Sequence, residues 1–163
     1  MKISNKTATT SDSQAGTTGK GMIGRWLYID IPVLNLYEVK AKVDTGAYRS
    51  ALHCDFIEQF QKEGETYLKV RITDLSGAPF SENVVLKQER TSQVKSSNGD
   101  VQERPIVLLD VIINGERYPT EFTLSNRGDM KFPILLGRRL LRGKFVVDVS
   151  LDSSDDDDSD EVD

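Results

Sequence analysis

Asn114-Gly115 constrains this chain more than any other feature. It lies between Val107-Leu108-Leu109-Asp110-Val111-Ile112-Ile113 and Glu121-Phe122-Thr123-Leu124, two runs rich in β-branched and aromatic residues. Both turn residues tolerate positive φ, so an Asn-Gly pair in this setting specifies a tight hairpin whose backbone twist matches its strands. A second pair, Asn98-Gly99, predicts another hairpin. It would join a strand around Val84 to Leu86, or around Val94, to one running from Val101 to Val107.

Other segments carry the two-residue period of half-buried strands. Glu38 to Val43 alternates polar and apolar, and Tyr67 to Ile72 puts Leu68, Val70 and Ile72 on one face. Trp26 to Ile31 is a short strand ended by Pro32. Asp55 to Lys62 reads as helix, with Phe56 and Phe60 at helical spacing, or equally as strand. The best helix is the turn or two at Arg138-Arg139-Leu140-Leu141, between Gly137 and Gly143. Many short strands with tight turns and one or two short helices predict an all-β chain closed into a small barrel.

Composition bounds the rest. Residues 1–21 are mostly small and polar and lack hydrophobic periodicity, so they read as a disordered leader. Residues 150–163 hold eight acids and no base and read as a disordered acidic tail, leaving 22–149 as the folded domain. Eight of the chain's 26 acids lie in that tail, so 21 basic residues face 18 acidic ones in the remainder, a body that accepts acidic partners. No apolar run is long enough for a membrane span and no secretory h-region is present. The expected setting is therefore cytoplasmic, with no membrane or nucleic-acid partner. The single cysteine, Cys54, precludes an internal disulfide and reads as a small core hydrophobe; the single histidine, His53, reads as a hydrogen-bonded structural group ahead of a pH-tuned one.

Chemistry has one obvious address. Val39 to Val43 runs directly into Asp44-Thr45-Gly46-Ala47, an acid just past a strand in a turn containing glycine. Peptide hydrolysis without a metal or a covalent nucleophile needs two carboxylates sharing a proton, one activating water and the other protonating the leaving group. Gly46 would let a backbone N–H reach the carboxylate, and Thr45 could turn inward and lock the loop. Asp-Thr-Gly also occurs in ordinary turns, so the motif alone leaves both readings open. Far along the chain, Phe132-Pro133-Ile134-Leu135-Leu136-Gly137-Arg138 forms an apolar strand that ends in glycine and enters the short helix.

The two segments together resemble the retropepsin-like aspartic peptidases, in which Asp-Thr-Gly-Ala follows one strand and a later strand with Leu-Leu-Gly-Arg packs beneath it. Ser50-Ala51-Leu52-His53, Val94 to Gly99 and Phe122 to Arg127 extend the likeness. Together they are similar to the bacterial family often labelled "ATP-dependent zinc protease", associated with ATP-grasp ligases that add glutamate to ribosomal protein tails. The resemblance implies a small closed barrel of retropepsin (acid protease) type. It implies an aspartic endopeptidase acting on glutamate-rich or glutamylated chains, with Asp44, Thr45 and Gly46 catalytic and Ala47, Lys95, Ser96 and Arg138 at the substrate. Lys95 and Ser96 read equally well as a polar hairpin shoulder, and Arg138 as a buttress of the Asp loop; Arg139 is a further charge for an acidic substrate. One Asp-Thr-Gly per chain means that a homodimer would have to complete the dyad. Tyr48 and Arg49 stand where other retropepsins carry acids, which removes an acid–arginine pair found there.

No cofactor is expected. One His and one Cys fall short of the three ligands of a catalytic zinc, and no phosphate-binding loop is present, so any ATP dependence would come from a partner ligase. The competing reading is a non-catalytic β-barrel module that binds an acidic partner, with a metal-dependent peptidase a distant third.

Overall fold

The computed structural model describes residues 20–73, 79–95, 98–126 and 132–151. Along the chain run β1 (Gly21–Ile23), β2 (Trp26–Ile31), β3 (Leu36–Val43), β4 (Ser50–His53), β5 (Phe56–Lys62) and β6 (Glu65–Thr73). They are followed by β7 (Pro79–Lys87), β8 (Arg90–Lys95), β9 (Val101–Ile113), β10 (Glu116–Ser125), β11 (Ile134–Leu136), α1 (Arg138–Leu141) and β12 (Phe145–Val147). A 3-10 turn at Pro32–Leu34 begins where proline ends β2, and α1 is the only α-helix among the described residues.

The hairpin expected at Asn114-Gly115 organises the sheet. Both residues have positive φ, +53° and +83°, and β9 and β10 pair without slippage from Ile113↔Glu116 to Ile106↔Thr123. Strand order β10-β4-β11-β3-β2-β9, with β9 returning to β10, closes a six-stranded barrel. β8 continues the sheet beyond the closure by pairing with the first half of β9, from Lys95↔Val101 to Arg90↔Ile106. Val94, not Val84 to Leu86, thus supplies the partner strand of the Asn98-Gly99 hairpin.

Alternation decides what faces inward. Leu27, Ile29 and Ile31 of β2, Val39, Ala41 and Val43 of β3, and Val107, Leu109, Val111 and Ile113 of β9 are all buried. Between β2 and β3 the register shifts, and Glu38 takes φ +54° with its N–H donating to Asp30 Oδ1 at 2.7 Å. Such a bulge sharpens the bend a small barrel needs.

Of the segment from Asp55 to Lys62, which reads as helix or strand, Phe56–Lys62 is strand. β5 pairs with β6 and β6 with β7 in a separate three-stranded antiparallel sheet, and Leu68, Val70 and Ile72 of β6 are fully buried. Cys54 is buried beside it, and burial, with the charge of Asp55, pushes its thiol up to about 12. It stays neutral and acts as a core hydrophobe. The expected leader and acidic tail lie outside the described residues, apart from Lys20, Gly21, Ser150 and Leu151. No helix among the described residues is long and apolar enough to cross a membrane.

Candidate active site

Three short strands place Asp44. β11 is wedged between β3, with which it runs parallel (Leu136↔Val43), and β4, with which it runs antiparallel (Leu135↔Ala51). The connection from β3 to β4 must therefore cross the end of β11, and that connection is Asp44 to Arg49. The Asp44 N–H donates to Leu136 O at 2.9 Å, the Ala47 N–H closes a turn onto Asp44 O at 3.1 Å, and the Gly46 N–H donates to Asp44 Oδ1 at 3.1 Å. The carboxylate is thus held by a backbone donor of its own turn while half-exposed to solvent.

The segment after β11 forms the floor. The N–H groups of Arg138 and Arg139 donate to Ala47 O at 2.8 Å and Tyr48 O at 2.9 Å, and Arg138 Nη1 donates to Thr45 O at 3.1 Å. The Gly137 N–H donates to the hydroxyl of Ser50, itself almost fully buried, at 3.0 Å. Gly137 passes so close beneath the loop that a Cβ there would lie 2.5 Å from Arg49 O and 3.0 Å from Ala47 O. The glycine in Leu-Leu-Gly is required by this crossing.

The structure brings Asp44, Thr45, Gly46, Ala47 and Arg138 together in one loop-and-floor unit. Thr45 is exposed and not turned inward as its hydroxyl chemistry suggested; within one chain its carbonyl, not its hydroxyl, ties the loop down. Lys95 is exposed at the end of β8, opposite Val101, and Ser96 lies outside the described residues. Of the acids that could pair with Asp44 within one chain, Asp110 is engaged with Arg117 at 2.9 Å and Asp74 lies outside the described residues. His53 ends β4 in the interior, its N–H donating to Pro133 O at 2.8 Å.

Reading along the sequence missed a charged cluster flanking this loop. Glu121 of β10, its side chain 17% exposed, receives Arg90 through both terminal nitrogens at 2.8 Å, Arg139 Nη1 at 3.0 Å and Arg49 Nε at 3.3 Å. Burial pushes the Glu121 carboxyl up, but hydrogen bonds from Arg90 and Arg49 and the charges of Arg139 and Arg90 outweigh it and hold the group below the ordinary carboxylate range. The exposed ring of Tyr48 lies within 5.3 to 5.9 Å of the guanidinium carbons of Arg49, Arg138 and Arg139. No linear signal marks this cluster, because its members come from the β3–β4 loop, β8, β10 and α1.

A lowered folded-state value means ionised Glu121 favours folding. That contribution is complete above the ordinary carboxylate range of about 4–4.5 and fades as pH falls through the lower folded-state value. Glu121→Gln is therefore expected to cost about 2 kcal/mol at pH 7, where it leaves three guanidinia facing one another, and progressively less below about pH 4. Chemical unfolding of both proteins at pH 7 and pH 3 checks this; an equal difference at both would mean the carboxylate's charge is immaterial.

A family model described as "Retropepsin-like aspartic endopeptidase RimB" matches residues 22–157. Curated relatives named "Probable alpha-L-glutamate ligase" are similar over most of the chain. The one from Shewanella halifaxensis is 31% identical over 135 residues, and the one from Parasynechococcus marenigrum 30% over 135, each covering 80% of this chain. The chain spans less than a third of their length, 29% and 28%. A crystal structure of a protein of unknown function from Legionella pneumophila is 27% identical, with a TM-score of 0.64 over 80% of this chain and 95% of that one.

Proposed function

The chain belongs to the RimB-like family of retropepsin-like aspartic endopeptidases, and from that membership we propose that it hydrolyses peptide bonds with Asp44 as the catalytic carboxylate. One observation carries the reading: Asp44 is held at the end of β3 by Leu136 beneath it and Gly46 beside it, half-exposed on a loop fixed at several backbone points. A pre-aligned carboxylate open to solvent is what water activation requires.

The second carboxylate comes from another copy of the chain. Thr45 and Gly46 are exposed, so two Asp44 loops can meet across a two-fold axis and the pair can carry one proton between them. The ionised partner takes a proton from water as it attacks the carbonyl, and the protonated one gives its proton to the departing amine. The substrate is a glutamate-rich or glutamylated chain, made by an α-L-glutamate ligase. The ligase-named relatives support that link, since one stretch of each matches this chain.

The alternative is a binding module for an acidic partner, which the arginine-rich flank of the loop favours. Cleavage separates the two. Incubating the chain with oligoglutamate peptides and following products by mass spectrometry is expected to give new termini at an undiminished rate in the presence of a strong chelator. The chain's imidazole and thiol groups, the usual nitrogen and sulfur ligands of zinc, reduce to His53 and a neutral, buried Cys54. Loss of cleavage on chelation, restored by zinc, would favour metal-assisted hydrolysis, and tight binding without cleavage would favour the module.

A further inference from the structure

Four arginines and a single carboxylate form the flank of the Asp44 loop. Arg90 commits both terminal nitrogens to Glu121, and Arg138 reaches under the loop to Thr45 O. Arg49 and Arg139 are committed less fully. Arg49 donates only through Nε and Arg139 only through Nη1, and their remaining N–H groups meet no protein acceptor among the described residues. Both guanidinia stand beside the ring of Tyr48, which is 46% exposed and only four residues past Asp44.

Glu121 Oε1 holds both guanidinia, at 3.3 and 3.0 Å, and the Tyr48 ring packs beside each of them. An arginine fork held in place loses little side-chain freedom when it meets a carboxylate, and a pair of them outmatches the one negative charge already present. We propose that Arg49 and Arg139, set around Tyr48 and anchored by Glu121, form a subsite for a glutamate side-chain carboxylate of the bound peptide. The assignment rests on the peptidase reading for its substrate class, and it names the residues that select that class. Glu121 and Arg90 are positioning residues: Glu121 holds the two forks, Arg90 holds Glu121, and neither touches the peptide. Tyr48 and Arg49 share the loop of Asp44, and Arg139 is tied to that loop by its N–H donating to Tyr48 O at 2.9 Å, so a chain seated on the subsite runs past the carboxylate.

Binding tests this without turnover. A fluorescent hexaglutamate peptide is titrated into the full-length Asp44→Asn chain, and the affinity is read by anisotropy. Adding Arg49→Gln or Arg139→Gln is expected to weaken binding about tenfold each, the loss of one charge-assisted contact, with the difference shrinking as salt rises. Arg139→Lys, which keeps charge but not the fork, recovers only part. Lys87→Gln removes a charge on the separate three-stranded sheet, where Lys87 pairs with Glu65, and leaves binding unchanged. Hexaglutamine binds each protein equally weakly. Where an arginine variant fails to fold, the Nε–H resonances of Arg49 and Arg139 in the parent chain shift on adding hexaglutamate and not hexaglutamine. Parent-like affinity in both arginine variants, equal affinity for the two peptides, or unmoved resonances would each overturn the subsite. Hexaglutamate bound through these arginines but never cut by the wild-type chain would sink the peptidase reading alone. Cleavage indifferent to both arginines would sink the subsite alone.

Discussion

Asp44→Asn is expected to lower cleavage of an oligoglutamate peptide by about 10²–10⁴-fold, the range that removing a positioned acid–base group costs, while leaving the fold intact. Asparagine has nearly the same shape, and its oxygen can still accept the Gly46 N–H that now meets Asp44 Oδ1 at 3.1 Å. The backbone bond from Asp44 N to Leu136 O is untouched. What disappears is the ability to take a proton from water. Unchanged thermal unfolding with lost turnover is the expected pair of measurements, and full turnover in a folded variant would remove Asp44 from the mechanism. Mixing variant and wild-type chains adds a second reading. If each site needs one Asp44 from each of two chains, random pairing leaves active dimers in proportion to the square of the wild-type fraction. Activity that instead falls in simple proportion would place both acids in one chain, and the two-chain dyad would be wrong.

The parts of this architecture legible in the sequence are those set by short-range physics. Alternation in Tyr67 to Ile72 and in Glu38 to Val43 identifies which side chains are buried, because a strand's period is local. Asn114-Gly115 announces its hairpin because few residue pairs take positive φ so readily. The hairpin joining β5 and β6 escapes notice for the converse reason. Its turn is Glu63-Gly64, with φ +55° and +80°, and a glutamate gives no warning of a left-handed backbone. The spacing of Phe56 and Phe60 suits helix as well as strand, and pairing with β6 decides for strand.

Strand order is not written in local periodicity. Period tells which face a residue takes but not which strand lies beside it, so the parallel pairing of β4 with β10 and the wedge of β11 between β3 and β4 arise only on folding. The Asp44 loop and its Leu-Leu-Gly-Arg floor could be linked through the family resemblance, but the reason for the glycine could not. The Glu121 cluster is the extreme case: its hydrogen-bond partners Arg139, Arg90 and Arg49 lie 18, 31 and 72 residues away.

Gly137→Ala is the change expected to do most damage outside the carboxylate itself. Its φ of −101° is available to any residue, so no torsional penalty arises. The obstacle is contact, because the new methyl would sit 2.5 Å from Arg49 O and 2.6 Å from Arg49 C. Those are backbone atoms, fixed by the bonds from Arg138 N to Ala47 O and Arg139 N to Tyr48 O, so no side chain can swing aside. Either the loop lifts, breaking these bonds, or β11 drops and loses its hold on β3 and β4. Forced overpacking of this kind costs about 1–3 kcal/mol, a fall of roughly 2–12 °C in melting temperature for a chain of this size. Turnover should fall further than stability, because a loop displaced by about 1 Å costs about 10²-fold in rate when it carries the reacting group. Gly115→Ala provides the contrast. Nothing lies within 4 Å of its would-be Cβ, and it should show only the torsional cost of φ +83°, about 1–2 kcal/mol, with turnover unaffected. If Gly137→Ala melts and turns over like the parent, the crossing has slack, and the close fit of loop to floor is not what aligns Asp44.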